Sequence, residues 1–150
     1  MCILGEIIFM EIPMNLSHKP IYSIEGYSKV DGEYKNKSDV QGFSIGKAQW
    51  VKDDEFSPSI KIWRHDGNQW SPQSEETTLT RAIDATTLIV HILNNIIYNT
   101  DDTKILLENE IFNINTKASN EKLVEYVQKN KRMIVNHLRS LKKEIDTFGM

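Results

Sequence analysis

FSIGKAQWVKDDEFSPSIKIWRHDGNQWSPQSEETTLTR, residues 43–81, is the stretch on which the fold turns. Read with a period of two, 43–51 is a strand. Ser44, Gly46, Ala48 and Trp50 lie on one face, and Phe43, Ile45, Lys47, Gln49 and Val51 on the other. The small-residue face predicts close approach by a helix. A charged turn, Lys52 to Pro58, leads into a second strand over 59–65, where Ile60, Ile62 and Arg64 share a face opposite Lys61, Trp63 and His65. Asp66-Gly67-Asn68-Gln69 is a turn, and 71–76 reads as a short strand or an ordered crossing loop. A helix should begin near Thr78, with Thr77 as its N-cap and Glu75 and Glu76 near its positive end.

Outward from this stretch, 20–27 alternates as a strand, and 28–42 is a long polar loop with an Asp31-Gly32 turn, of the kind that often carries function. The helix from Thr78 runs to about Tyr98 and is apolar over most of its circumference, as a central buried helix would be. Residues 111–114 suggest a short edge strand. A last helix, capped by Ser119 and reaching about Phe148, carries the stripe Val127, Ile134, Leu138, Leu141, Ile145 and Phe148. The expected fold is α+β: an antiparallel sheet of about four strands in the N-terminal half, packed on a central helix, with a long C-terminal helix. Residues 1–9 form an extension or a small edge strand, and 10–150 a single domain.

With 39% hydrophobic and 26% charged residues, 150 residues suffice for one core. A net charge of −3 argues against duplex nucleic acid, whose binding rests on neutralising phosphates. Cys2 has no intramolecular partner, no Cys/His cluster reads as a zinc site, and a reducing, cytoplasmic compartment is expected. The apolar run Met1 to Pro13 contains Glu6 and Glu11, fits a signal peptide poorly and is too short to span a bilayer, so no membrane partner is expected. The abundance of Ile, Asn and Lys is what AT-rich coding DNA yields, as in a low-GC bacterium or its phages.

Guanidinium groups grip phosphates and carboxylates, indoles stack on planar rings, and Gln and Ser read polar edges. Lys47, Trp50, Lys61, Trp63, Arg64, His65, Trp70, Gln73, Ser74 and Arg81 therefore form a ligand-binding vocabulary, extended along the helix by Asp84 and His91. A plainer reading stands beside it: the tryptophans fill the core, Arg64 and Arg81 pair with Asp66, Glu75, Glu76 or Asp84, and the helix stripe is a solvated face. No histidine pair has metal-ligand spacing and no serine sits in a nucleophile motif, so no catalytic residue, metal or cofactor is assigned. Trp50, Trp63 and Trp70 beside Lys47, Lys61 and Arg64 could also suit single-stranded nucleic acid, a reading the net acidity weakens.

Met10-Glu-Ile-Pro13, His18-Lys-Pro20, Asp31-Gly-Glu-Tyr34, Phe43-Ser-Ile-Gly-Lys-Ala-Gln-Trp50, Ile62-Trp-Arg64, Trp70-Ser-Pro-Gln-Ser-Glu-Glu76 and Arg81 together resemble a small family of bacterial and phage proteins, a domain of unknown function. The resemblance covers about residues 10–95, implies Met10 as the family-like start, and brings no activity. The expectation is therefore a non-enzymatic protein that binds a small anionic, nucleotide-like ligand, for sequestration or sensing, and forms a homo-oligomer. If phage-encoded, it could act as a sponge for a host immune signal. The alternative is a protein-interaction module using a Trp/Arg surface, and a metal-independent hydrolase or nuclease using His65, Asp66 and Glu75 comes third.

Overall fold

Small residues at every second position of 40–48 leave room for a neighbouring backbone, and the first unit of the chain is built on that room. The computed structural model describes residues 10–73 and 75–150 in full, with the backbone of Cys2–Ile3 (β1) and Glu6–Ile7 (β2), which pair with each other. The chain divides into two compact units, Met1–Ile83 and Asp84–Met150.

In the first unit, Lys19–Glu25 (β3), Val40–Lys47 (β4), Pro58–Arg64 (β5) and Glu75–Thr77 (β6) form an antiparallel sheet in that order. The predicted alternation of β4 holds as far as Ala48, with Gly42, Ser44, Gly46 and Ala48 buried and Ile45 exposed, but the strand starts earlier than expected and ends at Lys47 rather than 51, leaving Trp50 exposed beyond it. What approaches Gly42 and Gly46 is the β3 backbone rather than a helix. A Cβ on Gly42 would lie 1.8 Å from the Ile24 carbonyl oxygen, and one on Gly46 2.0 Å from that of Lys19. β3 stops at Glu25 because Gly26 takes a left-handed φ of 74° and turns the chain into a 3-10 turn, Tyr27–Val30, followed by a second, Gly32–Tyr34. The predicted 28–42 loop is thus locally ordered, and the Asn36 amide donates back to the Ser28 carbonyl at 2.7 Å.

β6 is the short strand foreseen over 71–76, displaced to Glu75–Thr77 and paired on β5 with Glu75 opposite Ile62, Glu76 opposite Lys61 and Thr77 opposite Ile60. Because Thr77 is still in the sheet, the cap of the next helix, Leu79–Tyr98 (α1), passes to Thr78, whose Oγ1 accepts the Arg81 amide at 3.2 Å. The apolar circumference of α1 predicts burial, yet none of its residues falls in the buried class.

In the second unit, Lys104–Leu107 (β7) and Glu110–Asn113 (β8) form a hairpin, of which only the second strand is foreseen. Its turn contains no glycine: Glu108 itself takes a φ of 55°. The single last helix is two, Glu121–Lys129 (α2) and Lys131–Phe148 (α3), divided at Asn130, whose side-chain amide donates to the Tyr126 carbonyl at 2.8 Å. Ile105 and Val127 are the buried apolar residues of this unit among those described. No helix among the described residues is long and apolar enough to cross a membrane.

Candidate functional site

The two faces of the four-stranded sheet carry different chemistry. On one face, His18, Ser44, Ser59 and the Glu76 side chain are shut off from solvent, and Trp63 is 2% exposed. They form a chain of hydrogen bonds whose direction can be deduced. An indole N–H can only donate, so Trp63 Nε1 donates to Ser44 Oγ at 2.8 Å. The Ser44 hydroxyl then has its own proton for His18 Nε2, 2.8 Å away. That makes Nε2 an acceptor and places the ring proton on Nδ1, which faces Ser59 Oγ at 3.0 Å and Glu76 Oε2 at 3.3 Å. Ser59 Oγ donates to Glu76 Oε2 at 2.7 Å, and the Gln49 amide reaches the same oxygen at 2.8 Å.

The relay thus runs from indole to carboxylate through a neutral imidazole. Burial pushes the His18 pKa below its ordinary value, with Glu76 opposing and Lys61 assisting, which agrees with that tautomer. Glu76 Oε1 is buried without a hydrogen-bond partner among the described residues. Lys61, opposite Glu76 across the β5–β6 pair, sets its Nζ 4.1 Å over the Trp63 ring. Burial draws its pKa below that of an ordinary lysine against the pull of Glu76.

The other face holds a cleft of about 670 Å³ between the sheet and the segment 27–39. Phe43 and Ile62 form part of its floor, Tyr27 stands edge-on to Phe43 with ring centroids 4.5 Å apart, and Tyr34 and Lys37 come from the turns above. Burial, aided by the Asp31 carboxylate, pushes the Tyr27 hydroxyl above its ordinary pKa. Arg64 lines the same cleft. Its Nε donates to Glu75 Oε1 and its Nη1 to Asp39 Oδ1 at 2.7 Å, and these two bonds hold the guanidinium above its ordinary pKa. Two carboxylates gripping two edges of a planar group fix its orientation and leave Nη2 uncommitted by either.

Of the ligand-binding residues singled out from the sequence, Arg64 alone lines the cleft; Glu75, foreseen as an arginine's partner and, with His65 and Asp66, in the hydrolase reading, lies there beside it. Trp63 and Lys61 occupy the opposite face of β5, and His65 follows the strand in a bridge to Trp70, so the structure does not bring Arg64 and Trp63 together. Trp70 packs edge-on against both Trp63 and His65, at 5.5 and 5.0 Å between centroids, and His65 Nδ1 accepts the Gly67 amide at 3.0 Å. The 66–69 turn forms as expected: Asp66 Oδ1 accepts the Asn68 and Gln69 amides, which lowers its pKa. Lys47 Nζ donates to the Asp53 carbonyl at 2.8 Å, while Trp50 and Gln73 are exposed. Ser74 lies outside the described residues. Arg81 is exposed on the first turn of α1. Asp84 and His91 belong to the second unit, where His91 Nε2 and Asn95 Nδ2 both meet the Asp102 carbonyl, at 2.8 and 3.0 Å, and tie down the chain that leaves α1.

The residues of the cleft that residue-type reasoning passes over, Tyr27, Asp31, Tyr34, Lys37 and Asp39, all lie in or beside the loop flagged for its length. His18 carries no such signal, since it sits alone in an irregular segment. Among the described residues, no group of three or more His, Cys, Asp or Glu is placed to hold a metal ion.

A family model described as "Family of unknown function (DUF6530)" matches residues 10–150. The match starts at the residue that the resemblance implies and runs beyond the quoted motifs to the end of the last helix. No curated protein and no solved structure matches the chain.

Proposed function

Taking as premise that the chain belongs to this family of unknown function, we propose that it binds a small, nucleotide-like ligand bearing an anionic group in the cleft under residues 27–39, without turning it over. The observation that carries the reading is Arg64, held in one orientation at the cleft by Asp39 and Glu75 with its Nη2 edge left for a ligand. Tyr27, Tyr34 and Phe43 offer ring surface beside it. The volume suits a small molecule, since ligand pockets fall at roughly 300–1,000 Å³. Charge narrows the class. Asp31, Asp39 and Glu75 outweigh Lys37 and Arg64, so a ring carrying one anionic group, as in a cyclic mononucleotide, is favoured over a polyphosphate chain. Sequestration or sensing is the role that binding without turnover would serve. Native mass spectrometry followed by release and mass analysis of bound small molecules, with calorimetric titration of cyclic mononucleotides, tests the reading. A retained nucleotide-like mass or saturable heat supports it. A clean apo mass with neither heat nor thermal shift sinks it.

A protein-interaction role is the second reading, favoured by β3. This strand lies at the edge of the sheet and exposes Ile21, Tyr22 and Ile24, each more than half accessible. Exposed apolar edge strands are templates for pairing with another chain. A Tyr22→Lys substitution that changed the native mass of the protein would favour it.

A further inference from the structure

Glu75 and Glu76 are consecutive residues on a three-residue edge strand and serve opposite faces of the sheet. Glu75 orients the Arg64 guanidinium in the cleft, while Glu76 receives Ser59, His18 and the Gln49 amide on the buried face. We propose that Glu76, gripped by the His18–Ser59 relay, is a positioning residue for the cleft: it sets β6, β6 sets Glu75, and Glu75 sets Arg64. The inference rests on the binding role proposed for that cleft and adds to it a means of control from the far side of the sheet.

The mechanics follow from the length of β6. Three residues pair with β5, and among the described residues no further strand follows β6 in the sheet, so the ladder alone holds β6 weakly. Neighbouring side chains of a strand point to opposite faces, and a rotation or slip of β6 therefore displaces both carboxylates together. On the buried face one Glu76 oxygen meets three donors from three separate segments: Ser59 of β5, His18 ahead of β3, and Gln49 in the turn after β4. Such a cluster fixes the strand in depth and register. On the cleft face, by contrast, Arg64, Asp39 and Glu75 are each more than a third exposed, so the orientation that the two carboxylates give the guanidinium is only as definite as the backbone that carries them. Precision in the exposed clamp thus derives from the enclosed one.

The test reads Arg64 directly. In the free protein at neutral pH the Arg64 Nε–H should give a distinct, slowly exchanging NMR signal, which Glu75→Ala, removing the acceptor and so breaking the clamp itself, should abolish. Ser59→Ala and Glu76→Gln touch nothing in the cleft, yet each should broaden or shift that signal while the amide signals of β4 and β5 stay in place. Each should also weaken binding of a 3′,5′-cyclic mononucleotide probe about tenfold, the scale of one charge-assisted hydrogen bond. Wild-type protein supplies a second route that needs no substitution. Protonating His18, which faces Glu76 from β6, Lys61 and Ser59 from β5 and Ser44 from β4, should perturb the Arg64 signal in step with the His18 ring signals. An Arg64 signal indifferent to His18 protonation, or unchanged in both folded variants, overturns the proposal. If the wild-type protein fails to bind the probe, the binding role falls, and the NMR result still decides whether the buried face positions the clamp.

Discussion

The Ser44 hydroxyl donates to His18 Nε2 at 2.8 Å in a place that solvent does not reach. This bond exists only while the imidazole is neutral, because a proton on Nε2 would leave Ser44 Oγ facing two donors, Trp63 and His18, with its own hydrogen stranded. Burial lowers the His18 pKa in the fold, whereas the unfolded chain keeps the ordinary value of 6.5. The unfolded state therefore binds the proton first as pH falls. Stability from the relay is complete above that value and is lost as pH drops from it through the lowered folded-state value. Denaturant midpoints followed from about pH 7 down to about pH 5 should decline in wild type and decline less in His18→Asn, which keeps a donor toward Ser59 and Glu76 but cannot titrate. Parallel slopes in the two proteins would assign the pH dependence elsewhere.

Trp63 enters the relay as its first donor as well as filling space, so the two contributions can be separated. Trp63→Phe removes the Nε1–H and leaves a gap, for an expected loss on the order of 2–4 kcal/mol. Ser44→Ala removes the acceptor and strands both the indole N–H and His18 Nε2. Once either partner is gone the other has less to lose, so the double variant should be less destabilised than the two single losses combined, by about 1 kcal/mol. Chemical denaturation of the four proteins measures that coupling, and strict additivity would show that the indole contributes volume alone.

Gly42 is required by contact, Gly67 by conformation. A Cβ at 42 would sit inside the Ile24 carbonyl, and backbone cannot swing away as a flexible side-chain tip can. Gly42→Ala should therefore displace β3 and cost about 3 kcal/mol or more. Gly67 has a φ of 100° and open space around it, so Gly67→Ala should cost only about 1–2 kcal/mol of backbone strain. Thermal melts of the two variants rank them, and an equal loss would mean that the close approach of β3 to β4 is not rigid.

That approach also shows where residue patterning informs and where it stops. The small side of β4 is visible in the alternation of Ser44, Gly46 and Ala48, because a pleated strand imposes a period of two on its own residues. What fills the space beside it is a long-range fact, and the β3 backbone took the place predicted for a helix. The hairpin partner β7 escaped for a local reason, since Glu108 supplies a positive φ that sequence reading assigns to glycine or asparagine. For the cleft, alternation already puts Arg64 and Trp63 on opposite faces, while their shared vocabulary of residue types suggested one site; strand geometry prevailed over vocabulary. His18 belongs to no periodic element, and only the fold reveals that Ser44, Ser59 and Glu76 meet around it.

Arg64→Lys is the sharpest test of the cleft as a binding site. A lysine keeps the charge but offers a single ammonium in place of a fork, so it cannot bond Glu75 and Asp39 from two edges of one plane and still present a fixed N–H to a ligand. Arg64 and both partners are more than a third exposed, so the stability change should stay within about 1 kcal/mol. Loss of the oriented donor should instead weaken a cyclic mononucleotide about tenfold or more, because a hydrogen bond to a charged group contributes roughly 1.5–3 kcal/mol. Titration calorimetry beside a thermal melt separates the two effects. A folded Arg64→Lys protein with weakened binding places the ligand at the guanidinium. Wild-type affinity in that variant would remove Arg64 from the site and, with it, the reason for locating the ligand in this cleft.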